Sequence, residues 1–484
     1  ETKVDLDGIS ERRIELPVPS GNYSNIEVAG TKVFLSGEGQ IGYFDLNSKT
    51  LSPLTVGGGF SLSKDGAKML VLGPGYRVID TAAPNVAPTV GVLSFGGLKL
   101  QIEPVAEWKQ MFWDAWRLLR DYFYVANMHG LDWDAIGQKY AAHLPKVRSR
   151  GELDVLIRWM QSETGTSHQY LSPGDGRSKN TPVAPAFLGI DVEPTATGYY
   201  RISRIIRGDG FRTSERSPLA RPDLKVKEGD YLIEIAGVPA KVGESIYRGL
   251  EGRAGQTVSL RINDKPSTEG ARKVLVKPVA DEFRMRYVDW VEQNRQYVHK
   301  ASGGKVGYLH LAAMTPQDMT DFAKQYFAQR DKSALVIDVR FNNGGNIQEA
   351  VNRILAADLY AYFNMRESSD SWTRQGDAFI GPMACLINEF AISCGEEFPD
   401  RFRALKRGPL IGRRTMGGEV GSSPGWPLAD GGVVSVPNYG MYIPGKGWQI
   451  EGAGVSPDID VPSDPNAYSG RTDPQLDEAV EYVL

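Results

Sequence analysis

Two glycines, one serine and one histidine are the residues of this sequence best placed to do chemistry. Gly344 and Gly345 follow the apolar run Ala334–Val339 and precede a stretch of helical periodicity that continues to Ala357. Ser393 closes Asn388-Glu389-Phe390-Ala391-Ile392-Ser393, between the apolar run Met383–Ile387 and a second helical stretch, Gly395–Leu405. In open α/β sheets ligands gather at the carboxyl ends of strands, where helix N-termini present free N–H groups. Glycines there let backbone N–H groups approach a substrate oxygen. A serine at a helix start exposes its hydroxyl, and the next N–H, from Cys394, points the same way. A nucleophile flanked by two such donors is the layout of an acyl-transfer site with an oxyanion hole. Each feature also has a plainer reading, since serine is a favoured helix N-cap and Gly-Gly a common tight turn.

A nucleophilic serine needs a base. Five histidines are present: His129, His143, His168, His299 and His310. Only His168 sits in a glycine- and hydroxyl-rich loop, Gly165-Thr166-Ser167-His168, whereas His310 alternates within an apolar strand and reads as buried structure. With no HExxH and no CxxC pair, the sequence offers almost nothing from which to build a zinc site, and no metal or cofactor is expected. The absence of GxSxG around Ser393 argues against an α/β-hydrolase.

The elements that must position these groups follow from periodicity. From about Asp281 onward strands alternate with helices, which argues an α/β layer. Val306–Leu311, Ala334–Val339 and Met383–Ile387 read as strands, the last two continuous apolar runs of the buried parallel kind, and Met319–Gln329 reads as a helix. His168 closes a helical piece. There Trp108, Met111, Phe112, Ala115, Leu118, Leu119, Tyr122 and Phe123 form one stripe, read as core, and further helices are expected at Trp133–His143 and Glu152–Ser162. Residues 172–185 are rich in Pro, Gly, Ser and Asn and mark a linker.

Between linker and α/β layer lies a β-rich unit with the element order of a PDZ domain, in which Phe187-Leu188-Gly189-Ile190 takes the place of the carboxylate-binding loop. Such domains take an extended peptide as an added strand; the other reading is a domain that only braces its neighbours. Residues 1–98 hold short strands, among them Arg13–Leu16, Asn25–Val28, Lys32–Leu35, Ile41–Phe44, Met69–Leu72 and Tyr76–Ile79. They make about two four-strand units, where a propeller ring needs at least ~4. The tail of a truncated propeller and a free-standing β-domain both fit. The chain opens at Glu1 without a methionine, so either a leader was removed or it is a piece of a longer chain, and the N-terminal strands favour the second.

The expected fold class is therefore multidomain α+β: a β-propeller remnant (1–98), a small helical domain carrying the histidine (99–180), a PDZ-like β domain (183–281) and an α/β domain carrying the serine (282–484). A length of 484 residues is consistent, giving roughly three domains at ~150 residues each. Lys and Arg number 55 against 59 Asp and Glu, so the footprint of a nucleic-acid binder is missing. No apolar run approaches the ~20 residues of a membrane span. Two cysteines, Cys385 and Cys394, are too few for a disulfide scaffold but could pair with each other.

Five ordered motifs over about four-fifths of the chain then add a resemblance. They are Gly165-Thr166-Ser167-His168-Gln169-Tyr170, Ile337-Asp338-Val339-Arg340-Phe341-Asn342-Asn343-Gly344-Gly345, Asn388–Ser393, Leu410-Ile411-Gly412-Arg413-Arg414-Thr415-Met416-Gly417-Gly418, and Glu451-Gly452-Ala453-Gly454-Val455-Ser456-Pro457-Asp458. In these, and in its domain order, the chain from about Val105 resembles the tricorn protease family, and more broadly the tail-specific, carboxyl-terminal processing serine peptidases. The resemblance implies Ser393 as nucleophile, His168 as general base, Ser167 and Glu451 completing a tetrad, and Gly345, Cys394 and Gly344 around the oxyanion. A buried carboxylate that stabilises the imidazolium is chemically consistent with that set.

Two departures matter. Many processing peptidases use a Ser–Lys dyad, but the nearest downstream lysine, Lys406, falls at the end of the expected helix, and the later turn carries Arg413 and Arg414, which cannot act as bases. The segment Leu359–Asn364, which corresponds to the family's basic-specificity region, has no carboxylate, Asp358 being the nearest. Tyr362 and Phe363 are accordingly expected to line a pocket for apolar or aromatic side chains, with Phe187 and Gly189 as further peptide-binding positions. The resemblance also implies oligopeptide degradation in a homo-oligomer, hexameric in the family, gated by a propeller and followed by downstream aminopeptidases. A cytoplasmic location is expected. The alternatives are a non-catalytic peptide-binding scaffold and a processing peptidase of exported proteins, which would need an upstream signal sequence.

Overall fold

The computed structural model describes residues 5–8, 11, 16–73, 75–99, 101–174, 183–208, 212–367, 371–373, 378–465 and 472–484. Of the expected strand Arg13–Leu16, all but Leu16 lies outside them, as does most of the linker. The chain divides into two compact units, Glu1–Ile102 and Glu103–Leu484.

In the first unit β1 (Tyr23–Ala29), β2 (Lys32–Gly37), β3 (Gln40–Asp45) and β4 (Thr50–Val56) form an antiparallel meander, followed by a three-stranded one, β5 (Gly59–Leu62), β6 (Lys68–Leu72) and β7 (Arg77–Asp80). Glu38 and Gly39 both adopt positive φ and close the β2–β3 hairpin in two residues, the turn whose twist suits adjoining strands. Phe34, Ile41, Leu54, Phe60, Met69, Val71 and Ile79 make its core. The side chains of Asn25 and Glu27 accept from the Phe60 and Leu62 N–H groups, tying the two sheets together. Two four-strand units were expected; the second sheet has three strands.

The second unit begins with α1 (Pro104–Tyr122), α2 (Trp133–Ala141) and α3 (Arg150–Ser162). Asp132 and Ser149 cap α2 and α3 with their side chains, each satisfying a first-turn N–H. The aromatic stripe of α1 is core at Met111, Phe112, Ala115, Leu119 and Phe123. Tyr122 departs from it, half-exposed and stacked on Trp426. After the short strand β8 (Leu171–Ser172) comes the PDZ-like sheet of β9 (Ile190–Pro194), β10 (Tyr200–Ile205), β11 (Tyr231–Ile235), β12 (Val238–Pro239), β13 (Val258–Asn263) and β14 (Arg272–Val276). Its order is β14-β13-β11-β10-β9, with β12 on β11. Between β12 and β13 runs a 3₁₀ segment, Ile246–Leu250.

Helix α4 (Phe283–Ala301) leads into the α/β layer: β15 (Val306–His310), α5 (Pro316–Phe327), β16 (Ala334–Asp338), α6 (Gln348–Leu355), the hairpin β17 (Tyr362–Asn364) and β18 (Ser371–Thr373), β19 (Met383–Ile387), α7 (Cys394–Ala404) and β20 (Leu410–Gly412). Three small pairings follow in β21 (Trp426–Pro427), β22 (Val433–Val434), β23 (Tyr442–Ile443) and β24 (Gly447–Trp448), then β25 (Ile459–Asp460) and the C-terminal helix Pro474–Val483. The main sheet is parallel throughout, in the order β15-β16-β19-β20-β25. Alternate strand residues face opposite layers. Leu335, Ile337, Cys385 and Ile387 pack on α5, α6 and α7, while Tyr308, Val336, Ala384 and Leu386 pack on α4 and the C-terminal helix. Burial on both faces is why these strands read as unbroken apolar runs.

Beyond β16 lies an ion cluster in which Arg340 and Asp338 are fully buried and Asp473 is partly exposed. Arg340 bonds Asp338, Asp473 and Gln475, and its carbonyl meets His310 Nε2 at 2.9 Å. Removing one partner from such a set costs about 3–5 kcal/mol, so the chain entering the Gly344-Gly345 turn is firmly held. The helical domain is stitched to the same unit: β8 pairs with β22, Arg150 bonds Asp430 at 2.6 Å, and Tyr170 and Ser435 exchange backbone and hydroxyl bonds. That seam delivers the His168 loop to the α/β layer.

Candidate active site

Ser393 occupies the N-cap position of α7, yet its side chain caps nothing. Its backbone sits at φ 58° and ψ −134°, a conformation that costs a non-glycine residue about 1–3 kcal/mol. The plainer reading of Ser393 as an ordinary cap therefore fails in geometry: the strained turn rolls the hydroxyl away from the helix N–H groups. Gly344 explains itself here, because a Cβ at that position would lie 2.7 Å from Ser393 Cβ and 3.0 Å from its Oγ.

The donors expected around Ser393 divide. The Gly344 N–H is already bonded to Asn342 Oδ1 at 2.9 Å, so that member of the expected oxyanion set is engaged. Gly345 differs. Met314 N–H bonds the Gly344 carbonyl and Asn346 N–H bonds the Met314 carbonyl, a parallel bridge that turns the Gly345 N–H away from Met314. The Gly345 carbonyl instead receives Cys394 Sγ at 2.8 Å, which fixes the Gly345 backbone against the start of α7. Among the described residues neither the Gly345 nor the Cys394 N–H has an acceptor. Cys385 and Cys394 are both free and buried, so they do not pair. Burial, with the Glu397 charge, pushes the Cys394 thiol up to about 12, and it stays a thiol.

Across from this turn, Ser167, His168 and Glu451 form a hydrogen-bonded run. Glu451 Oε2 accepts from Ser167 Oγ at 3.0 Å, and Oε1 accepts from Ser167 N at 2.7 Å. With its only proton directed to Glu451, Ser167 Oγ accepts from His168 Nδ1 at 2.9 Å, which leaves Nε2 unprotonated. Burial holds the His168 pKa below its ordinary 6.5, and the Glu451 charge pulls it partly back, so the ring is neutral at pH 7. Gln169 braces the loop through Thr164 Oγ1 and two carbonyls. Glu451 is itself held by the Glu419 and Val420 N–H groups, both at 2.8 Å.

No hydrogen bond joins Ser393 Oγ to His168 among the described residues; one backbone segment connects them. Ser393 N–H bonds the Gly418 carbonyl at 2.9 Å, and the next two N–H groups along the chain hold Glu451. A Cβ on Gly418 would meet Ile392 at 2.9 Å and Ser167 Cβ at 3.3 Å, so this glycine lies directly between the two halves.

The remaining expected positions lie elsewhere. Tyr362 and Phe363 stand on the β17–β18 hairpin, 54% and 43% exposed. Phe187 exchanges both backbone bonds with Val279, and the Gly189 N–H is taken by Glu282 Oε2 at 3.1 Å, so these two donors are engaged by the chain itself. Lys406 follows the end of α7, Arg413 bonds Asp460 and Arg414 bonds the Ala453 carbonyl. Two acidic residues escaped the sequence reading. Glu419, pushed up to about 7 by burial and by the Glu397 and Glu451 charges, accepts from Met441 N–H. Glu396 is fully buried beneath Ser393. The Ser-x-x-Glu spacing of 393–396 was its signal, but that pattern normally means a capping box.

Residues 305–461 match peptidase family S41, residues 104–162 the tricorn protease C1 domain and residues 186–281 the tricorn protease PDZ domain. Those matches and the α/β layer with its serine turn define the class, a multidomain chain built on a peptidase-family α/β domain. Within that class the chain is similar to the tricorn proteases over its whole length. It is 31% identical to tricorn protease homolog 1 of Streptomyces coelicolor over its whole length and 47% of that protein. It is 34% identical to the tricorn protease of Thermoplasma volcanium over 78% of this chain and 36% of that one. A crystal structure of the tricorn protease superimposes with a TM-score of 0.86 at 26% identity, covering 96% of this chain and 46% of that chain. The chain thus spans about half the length of the curated relatives it matches.

Proposed function

We propose that the chain is a tricorn-type serine peptidase that hydrolyses peptide bonds in oligopeptides through an acyl-enzyme on Ser393. The observation that carries this reading is the run Glu451–Ser167–His168, which leaves the imidazole neutral with Nε2 free. In the reaction His168 Nε2 takes the Ser393 hydroxyl proton as Oγ attacks the substrate carbonyl. The Gly345 and Cys394 N–H groups hold the resulting oxyanion, and Glu451, acting through Ser167, stabilises the imidazolium. The imidazolium then gives its proton to the departing amine as the C–N bond breaks. A water, deprotonated by the same nitrogen, attacks the ester carbonyl and releases the carboxylate product and Ser393. The gap between Ser393 Oγ and His168 closes when substrate binds, as catalytic hydrogen bonds commonly do.

We further propose that residues 1–98 belong to a propeller, that the chain works as a homo-oligomer in the cytoplasm, and that aminopeptidases trim its products. Tyr362 and Phe363 remain proposed contacts for apolar substrate side chains. A serine-directed fluorophosphonate tests the core of the reading. Labelling mapped by mass to Ser393, and lost in Ser393→Ala and His168→Ala, is expected. An unlabelled native chain, or an adduct elsewhere that survives both substitutions, would overturn it.

A further inference from the structure

One fully buried carboxylate beneath the site has no role in the reaction just described. Glu396 lies in the first turn of α7, three residues after Ser393, and no part of it is exposed. Its Oε2 accepts from Gly417 N–H at 2.7 Å and from the Thr415 hydroxyl, and its Oε1 accepts from Gly418 N–H at 2.7 Å. A carboxylate taken out of water without a cation beside it survives only where several donors converge on it. Burial raises the Glu396 pKa, and the bonds from Thr415, Gly417 and Gly418 pull it partly back.

What those donors belong to matters more than their number. The Gly418 carbonyl receives the Ser393 N–H, and Met416 N–H bonds the Ala391 carbonyl, so the 415–418 loop grips the serine turn at two points. Its continuation supplies the two N–H groups that hold Glu451. Gly452 N–H bonds the Gly417 carbonyl, and Thr415 Oγ1, while donating to Glu396, accepts from Val455 N–H at 2.7 Å. The segment is a bridge between nucleophile and base, with Glu396 as the side chain that bolts it to the nucleophile's own helix.

We propose that Glu396 is a positioning residue that sets the distance between Ser393 and the His168–Ser167–Glu451 run through the Thr415–Gly418 loop. The proposal rests on the serine peptidase reading. Glu396 touches no reacting atom, so its loss acts on kcat and on the reactivity of Ser393, and leaves substrate affinity in place. Displacing reacting groups by about 1 Å is enough to cost ~10²-fold.

The test uses the full chain with Glu396→Gln, Thr415→Val and Thr415→Ser, each measured for the rate constant of fluorophosphonate labelling at Ser393 and for kcat and KM, corrected for active fraction by titration. Glu396→Gln is expected to lower kcat and the labelling rate together by ~10²-fold, with KM within about threefold. Thr415→Val, which removes one donor from the carboxylate, is expected to lower both about tenfold, and Thr415→Ser, which restores the hydroxyl, to return them to within about twofold of native. If Glu396→Gln fails to fold, the Thr415 pair decides. Native rates in Glu396→Gln or Thr415→Val, a loss confined to KM, or equal losses in the valine and serine variants would overturn the proposal. An unlabelled native chain would instead overturn the peptidase reading and take this proposal with it.

Discussion

Two glycine-bearing loops in the second unit present backbone N–H groups, and they end in opposite states. In the PDZ-like domain the Gly189 N–H is filled by Glu282, the residue that begins α4, and Arg286 one turn later locks the contact by bonding Glu282 Oε1 and the Ile190 carbonyl. In the α/β domain the Gly345 and Cys394 N–H groups stand without an acceptor among the described residues, although α7 carries two glutamates in its first turn. Those glutamates are bonded to other groups, Glu396 to the 415–418 loop and Glu397 to Gln348 and the Cys394 thiol, so neither fills the two N–H groups. A donor pair stays open for an incoming oxygen only where the chain's own carboxylates are anchored away from it. Where the following helix delivers a carboxylate directly, the same kind of loop becomes a joint.

The largest effect that tests this contrast comes from the open site. Ser393→Ala and His168→Ala are each expected to lower kcat for a peptide substrate by ~10⁴-fold or more, and the double variant to be no worse than either single one. Additive losses would mean that the two do not act as a unit. A matched pair of glycine substitutions comes next. Gly344→Ala, at φ +78° and 2.7 Å from Ser393 Cβ, is expected to lower kcat by ~10²-fold. Gly189→Ala, at φ +63° and 2.6 Å from Met285 Sδ, is expected to leave kcat alone while lowering stability by about 1–3 kcal/mol in denaturant titration. A rate loss from Gly189→Ala would erase the distinction between joint and site. Glu282→Ala frees the Gly189 N–H, so a peptide with a free terminal carboxylate should gain about tenfold in affinity over the native chain, and its amidated form nothing, by fluorescence anisotropy.

The smallest effect is one of pH. The base must be neutral to act, and burial keeps the His168 pKa below 6.5, so the acidic limb of kcat/KM against pH should lie below that value. Glu451 raises that pKa, so Glu451→Gln should move the limb to lower pH even as the rate falls. A limb that moved upward would place the controlling charge elsewhere.

Much of this was legible in the chain itself, for identifiable reasons. Strands β16 and β19 are buried on both faces and read directly as apolar runs, and α1 announces itself by an aromatic stripe. The Glu451–Ser167–His168 run was reached through motif order, since nothing in spacing alone brings position 451 to position 167. The Glu282–Gly189 joint was missed because it depends on how β14 delivers α4 back to a loop 93 residues earlier. Gly344 was grouped with Gly345 as a donor because neighbouring glycines look alike in sequence; only the Asn342 side chain separates them. Glu396 hid behind a spacing whose usual meaning is a helix cap. In each miss, a single side-chain hydrogen bond, near in sequence for Gly344 and distant for Gly189 and Glu396, decided which polar groups are engaged, and such a bond leaves no periodic trace.

The buried Arg340 also carries a consequence for the order in which the protein is made. The guanidinium that anchors the strand entering the Gly344-Gly345 turn completes its hydrogen bonds only with Asp473 and Gln475, at the start of the helix Pro474–Val483. A ribosome that has synthesised Ser393, His168 and Glu451 has therefore not yet supplied two of the groups that hold the Arg340 guanidinium in place. The strand end that leads into the Gly344-Gly345 turn should become fully held only after the helix Pro474–Val483 has emerged and docked. Chains terminated before that helix should therefore be released with the Gly344-Gly345 turn less firmly held.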